Sequence, residues 1–402
     1  MKKSSVQNRL TLMCGVLIIA MVGGSCAGRP SIDAGVSFGA LPFEKAVGSL
    51  AQEMIAVVRD NQSVPEGPAM VVVEPFRDQD TGEVLKASRA IETIFTKSAS
   101  KENDVTIRRL DRQSLGKAGY FIAGAIERVE TYGKEAAGTR RYQISASLYE
   151  LNTLKKIYKA VVSAEGDNVD LSPLSLYQDS PIFFRSWQKD RGASKGSLQH
   201  CFSFSTLDLN ARAILAEAEM AYDRGRYEIA MALFKNAAKQ DDQRALPFYA
   251  GMYATSMKMG RIDEAELAFG KIVRLSVEQH SVLTVKFLFE INGTNFFGGE
   301  KQRQVYNMWL RQIGRYFEKT NRCMKIVGHT SPTGPESWND ELSLLRAQAI
   351  RRLLKKTFEN VQKRSKAVGR GFRDNIIGIA TDDARDALDR RVEIIPVGCG
   401  DI

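Results

Sequence analysis

The sequence predicts a multidomain α+β protein: an N-terminal α+β domain ending in an antiparallel meander, a central pair of α-helical repeats, and a C-terminal β-α-β-α-β sandwich. Three observations carry that prediction. Residues 119–131, 142–151 and 155–164 are consecutive strand-like runs separated by polar turns, which is how a meander reads. Gly225 and Gly260, Ala230 and Ala265, and Phe234 and Phe269 stand at one constant offset of 35 positions, the mark of a repeated helical unit. From Leu283 to Val397, strand-like and helix-like periodicities alternate. A chain of 402 residues has room for several domains of roughly 100–200 residues each. Its 44% apolar and 26% charged content suits folded domains with their own cores.

The first residues carry the compartment signal. Lys2, Lys3 and Arg9 precede an uncharged, mostly apolar run at 10–22, followed by Gly23, Gly24, Ser25 and Cys26. This is the plan of a secretory signal, predicted over residues 1–25. The run is shorter than the roughly 20 apolar residues that span a bilayer. Everything after Cys26 is therefore expected outside the cytoplasm. Residues 26–42, rich in Gly, Ser, Ala and Pro, read as a flexible tether. The small residues before Cys26 resemble a bacterial lipobox, in which the thiol is acylated and becomes the new N-terminus. Gly23 stands where that motif usually has Leu, and a cleaved signal with a chance cysteine is the alternative. Acylated Cys26, followed by Ala27 rather than Asp, implies an anchor in outer-membrane lipid at about 0.8 kcal/mol per buried methylene.

The formal charge of +10 suits an anionic partner such as a phospholipid surface or a cell-wall polymer, and equally suits solubility alone. Export argues against nucleic acid. With Cys14 removed alongside the signal, Cys201, Cys323 and Cys399 remain in an oxidising compartment, where disulfides form. Cys323 and Cys399 fall in one predicted domain, which leaves a pairing between them open. No CxxC spacing or neighbouring His suggests zinc.

Residues 43–168 form the first expected domain. Phe43, Val47, Leu50, Met54 and Val58 share helical spacing over 43–58, 69–76 reads as a buried strand, and a helix near 85–97 and a strand near 105–110 lead into the meander. The order resembles the small periplasmic domains of curli-secretion, flagellar and penicillin-binding-protein-activator lipoproteins. The residues carrying that resemblance are Val71-Val72-Val73-Glu74-Pro75-Phe76 and Tyr120-Phe121-Ile122-Ala123-Gly124-Ala125-Ile126. Residues 169–206, with Pro173 and Pro181, read as a linker packed against something. In 207–276 the texts GRYEIAMALF and GRIDEAELAF resemble the tetratricopeptide unit, whose period is about 34. Two units are fewer than the roughly three that stand alone, so the pair is expected to lean on its neighbours. It serves either a peptide partner or as a spacer.

The last domain is expected over 281–397. Val285, Phe287 and Phe289 alternate on a half-buried strand. A helix near 301–318 places Val305, Met308, Trp309, Ile313 and Phe317 on one stripe, a strand at 323–327 follows, and the last strand runs from Arg391 to Val397. Between these strands a helix is expected from Asp340 to about Phe358, with Asn339 as its N-cap and Asp340 and Glu341 at its positive end. Leu342, Leu345, Ala349, Ile350 and Leu353 form its apolar stripe. Arg346 lies beside that stripe, so its guanidinium needs an acid, a carbonyl or a ligand.

Gly328-His329-Thr330, Asn339, Leu342-Ser343, Arg346-Ala347 and Arg390-Arg391-Val392-Glu393-Ile394 together resemble the OmpA C-terminal family. That resemblance covers under a third of the chain. It implies non-covalent binding of peptidoglycan, with an Arg at the position of Arg346 and an Asp after the His-Thr pair clasping the diaminopimelate of the stem peptide. A guanidinium takes a carboxylate by two parallel hydrogen bonds. Here Ser331 replaces that Asp, and the ammonium would need another acid, such as Asp382 or Asp383. Thr330, Ser331, Asn339, Arg346 and Arg391 are the candidate peptidoglycan-binding residues. Arg346 could instead tie helix to loop, His329 reads as a turn residue and Asn339 as a cap. Arg390 and Arg391 alternate on a strand, so one of the two, taken as Arg391, should face the site.

Nothing points to catalysis. The chain has three histidines, His200, His280 and His329, and lacks HExxH and the phosphate-binding GxxxxGK(S/T) pattern. No cofactor is expected. Two functional classes remain: a lipoprotein tethering the outer membrane to the wall, and a periplasmic adaptor or regulator of a secretion, motility or wall-synthesis machine.

Overall fold

The computed structural model describes residues 40–62, 67–129, 141–165, 169–183, 208–240, 246–279, 281–375 and 389–402. The expected signal, the tether up to residue 39 with Cys26, and Cys201, His200, His280, Asp382 and Asp383 lie outside these residues. The chain is mixed α+β.

The amphipathic periodicity at the start forms helix α1 (Phe43–Asp60), which buries Val47, Leu50, Ala51, Met54 and Val58. Strand β1 is the two residues Leu41–Pro42. Strand β2 (Ala69–Val73), the short β3 (Arg77–Asp78), helix α2 (Lys86–Ala99), strand β4 (Val105–Arg109) and the turn of helix α3 (Arg112–Leu115) follow. Then come β5 (Tyr120–Val129), β6 (Arg141–Glu150) and β7 (Lys155–Glu165). The sheet order is β1-β7-β6-β5-β2-β4, with β3 on β5. The β5-β6-β7 meander is antiparallel, as expected, whereas β2 pairs parallel with β4 and β5. Helices α1 and α2 share a core with one sheet face through Val71, Val73, Ile122, Ile144 and Leu148. Gly124 of β5 has no alternative, because a Cβ there would sit 2.3 Å from the Phe76 ring.

The segment expected as a linker contributes structure at its start. Helix α4 (Ser175–Asp179) buries Leu176 and Tyr177, and Ile182 and Phe183 are buried after it. Helices α5 (Leu209–Asp223), α6 (Tyr227–Gln240), α7 (Leu246–Lys258) and α8 (Ile262–Gln279) follow. The repeat offset has a structural counterpart. Gly225 and Gly260 both take φ +70°, and after each the next amide reaches back five residues, Arg226 to Ala221 O and Arg261 to Ser256 O, both at 2.9 Å. This closing turn suits glycine. Ala230, Ala265, Phe234 and Phe269 are fully buried.

The second sheet comprises β8 (Leu283–Val285), β9 (Cys323–Gly328), β10 (Ser365–Gly369) and β11 (Val392–Val397). Its order is β10-β9-β11-β8, with β10 parallel to β9 and β11 antiparallel to both β9 and β8. Helices α9 (Gly299–Lys319), α10 (Glu336–Leu354) and α11 (Val361–Arg364) complete the segment. Three expectations change. Strand β10 adds a fourth strand, β8 ends at Val285, and α10 starts at Glu336 behind Pro335, so Asn339 lies inside the helix rather than capping it. Cys323 and Cys399 are joined by a disulfide. Trp309 of α9 stacks on Phe269 of α8 and meets Phe287 edge-on, so the repeats and the second sheet share one core. Among the described residues no helix is long and apolar enough to cross a membrane.

Candidate functional site

The candidate site forms where β9 ends. Gly328 closes that strand against α10, and a Cβ there would lie 2.0 Å from Ser343 O. That close approach accounts for the glycine of the motif and lets the chain turn tightly into His329, Thr330 and Ser331, all buried. Thr330 N–H donates to Gly371 O at 2.9 Å, and Gly371 N–H donates to Ser343 Oγ at 3.0 Å. Ser343 therefore ties α10 to the strand ends.

Arg346 projects from the same face of α10. It is 1% exposed. Its Nε donates to Gly293 O at 3.1 Å and its Nη2 to Glu290 O at 3.1 Å. Its Nη1 reaches His329 O at 3.5 Å, and the guanidinium lies over the Phe289 ring at 5.1 Å. These carbonyl partners are neutral and belong to the loop after β8 and the turn after β9. Backbone carbonyls are thus among the partners this cation meets.

Asn339 is buried and its Nδ2 donates to Thr333 O at 2.9 Å and Pro335 O at 3.2 Å. It closes the 331–335 loop onto the first turn of α10, a different role from the expected cap. Arg391 sits at the start of β11, 1% exposed. Its Nε donates to Glu393 Oε1 at 2.9 Å and its Nη2 to Asp374 O at 2.9 Å. Arg390 is also buried, so the strand alternation does not send one of the pair to solvent.

Glu393 is the member of the cluster that the sequence reading used only as part of the motif. Its two-residue spacing from Arg391 on a strand is the signal that places both on one face. Burial opposes its charge, yet the neighbouring His329 imidazole and the Arg391 cation hold its carboxyl down at about 2. Burial also lowers the His329 imidazole, so the ring is neutral at pH 7, and its Nε2 lies 3.5 Å from Glu393 Oε2. Among the described residues, Thr330 Oγ1, His329 Nδ1 and Arg391 Nη1 are buried without a hydrogen-bond partner. Buried polar atoms are nearly always paired, which sets these three atoms apart from the rest of the core. No group of three or more His, Cys, Asp or Glu among the described residues could hold a metal ion.

No family model matches the chain, and no curated protein matches it. Solved structures similar to part of it include the peptidoglycan-associated lipoprotein from Burkholderia pseudomallei, at 23% identity over 28% of this chain and 88% of that one, with a TM-score of 0.23. The cell wall anchor of the T6SS from Pseudomonas aeruginosa is 25% identical over 29% of this chain and 80% of its own, with a TM-score of 0.24. A periplasmic domain of MotB from Helicobacter pylori is 16% identical over 29% and 81%, also with a TM-score of 0.24.

Proposed function

We propose that the chain is a non-catalytic cell-envelope lipoprotein that binds peptidoglycan through residues 281–397. One observation carries this reading: Arg346 reaches the carbonyl of His329 at the start of the His329-Thr330-Ser331 turn, beside His329 and Thr330 side-chain atoms that are buried without a hydrogen-bond partner among the described residues. A stem-peptide carboxylate would replace neutral carbonyls on Arg346 by an ion-paired fork of two parallel hydrogen bonds. Thr330 and Ser331 would supply hydroxyls, and Asn339 would fix the loop that presents them. Acylated Cys26 would hold the protein to outer-membrane lipid on the periplasmic face, with the wall held at the other end. The two helical repeats, α5–α6 and α7–α8, would act as a tetratricopeptide-like surface for a protein partner.

Co-sedimentation of the full chain with diaminopimelate-containing sacculi tests this. The chain should pellet, free diaminopimelate should release it, and Arg346→Ala should weaken retention at least about tenfold, the equivalent of one lost charge-assisted contact. Retention equal to the parent in Arg346→Ala removes the proposed clasp.

The burial of Arg346 favours a second reading. Here the guanidinium is a helix-to-loop tie, and the protein is a periplasmic adaptor or regulator working through its N-terminal sheet and its helical pair. In that case Arg346→Ala lowers stability, and neither it nor the parent pellets with sacculi.

A further inference from the structure

The two carbonyls on Arg346 Nε and Nη2 come from a single hairpin. In it, Phe297 N–H donates to Leu288 O and Glu290 N–H to Asn295 O, both at 2.9 Å, and Gly293 N–H donates to Glu290 O at 3.2 Å. The root of the hairpin is anchored. Phe289 is buried, Phe296 stacks on Phe287, and Leu288 N–H donates to Tyr306 Oη at 3.1 Å. The tip is not. Ile291 is 58% exposed, Asn292 and Asn295 are exposed, and Gly293 and Thr294 are half-buried. Asn292 takes φ +54°, a left-handed conformation that a side-chain-bearing residue adopts at a cost. Beyond the hairpin, Gly298 and Gly299 take φ +101° and +70°, backbone angles that glycine reaches freely. The tip buries no large apolar side chain, so its position over Arg346 rests on a few hydrogen bonds.

We infer that the tip, residues 290–295, is a strap occupying the carboxylate position on Arg346, and that ligand binding requires it to lift about the anchored Phe289–Phe296 root. This rests on the peptidoglycan reading above and adds a gate to the same site. Glu290 O and Gly293 O sit on two nitrogens of one guanidinium, as the two oxygens of a bidentate carboxylate would. Strap and ligand therefore exclude each other. The apparent affinity for a stem-peptide carboxylate is the intrinsic one scaled by the fraction of molecules with the strap lifted.

Two substitutions at one exposed position push this equilibrium in opposite directions. Asn292→Pro cannot hold φ +54°, because the proline ring fixes φ near −65°, so it disfavours the closed tip. Asn292→Gly removes the cost of the left-handed angle and favours closure. In sacculus co-sedimentation with the full chain, Asn292→Pro should raise affinity about three- to tenfold and Asn292→Gly should lower it by about twofold or more, as the lifted fraction changes. Arg346→Ala, run alongside, should weaken retention at least about tenfold. Thermal unfolding and hydrogen exchange of the hairpin amides confirm that each variant is folded and that the Asn292→Pro tip exchanges faster. If Arg346→Ala weakens retention while both Asn292 variants bind as the parent does, the wall reading stands and the strap is overturned. If Arg346→Ala binds as the parent does, the clasp and its gate both fall.

Discussion

Asp78 carries a charge that its surroundings resist. It lies at the end of the short β3, half-buried, with Oδ1 accepting from Asp80 N–H at 3.0 Å and from Thr81 N–H at 2.7 Å. Burial and the neighbouring Asp80 push its carboxyl up to about 7 from an ordinary 3.8, against the Thr81 hydrogen bonds. The folded state thus retains a proton that the unfolded chain releases, and stability falls as pH rises from about 4 to about 7. Asp78→Asn keeps an acceptor without the charge. It should raise the unfolding free energy at pH 8 by about 1 kcal/mol, after allowance for partial solvent screening, and the gain should vanish near pH 4 in thermal unfolding at the two pH values. The His329–Glu393 pair acts with the opposite sign. The depressed imidazole costs stability as pH falls below 6.5, and the Glu393 contribution, present above about 4.5, is lost as pH falls toward 2.

At the scale of elements, the packing of β9 on α10 governs the candidate site. Gly328→Ala would force a methyl group against Ser343 O, a backbone atom that cannot swing aside. We expect it to destabilise the protein by about 2–3 kcal/mol in denaturant unfolding and to displace the His329-Thr330 turn, whereas Gly299→Ala meets no atom within 4 Å and pays only for its positive φ. Elements with strong periodicity were legible in the sequence: α1 and the meander stand within about two residues of expectation, the usual uncertainty of helix and strand ends. Strand β10 was not, because Ser365-Lys366-Ala367-Val368-Gly369 neither alternates nor carries a run of β-branched residues. The start of α10 was misread because Asn339 is a good cap by type, while Pro335 and Glu336 mark the observed start. Of the site, Arg346 and its need for a partner were legible from the helical stripe. Its carbonyl partners were not, because backbone acceptors in a loop leave no trace in residue type.

At the scale of the molecule, charged seams join parts that the sequence reading treated separately. Helix α5 lies on the face of the first sheet opposite α1 and α2, with Ala213 packed among Val72, Leu110 and Phe121. Arg212 Nη2 meets Glu74 Oε1 at 2.6 Å with both side chains buried, Arg112 meets Glu217 at 2.7 Å, and Arg77 meets Glu219 at 3.2 Å. Lys286, just past β8, bonds Glu83 at 2.8 Å, which links the second sheet to the first. The helical pair thus leans on its neighbours through ion pairs as well as apolar packing. Arg212→Met leaves the Glu74 carboxylate buried without its hydrogen-bonded cation, and should cost about 3 kcal/mol, part of which the added Glu74→Gln change restores. Calorimetry of the single and double variants checks this. The Cys323–Cys399 disulfide, spanning 76 positions, has a consequence of another kind. Cys323 is fully shielded once bonded, so a chain that has met an oxidising environment offers no thiol at either position, while one held among reductants offers two. Alkylation of denatured protein, read as a mobility shift on a gel, would therefore act as a travel record, sorting molecules by the compartment they have passed through.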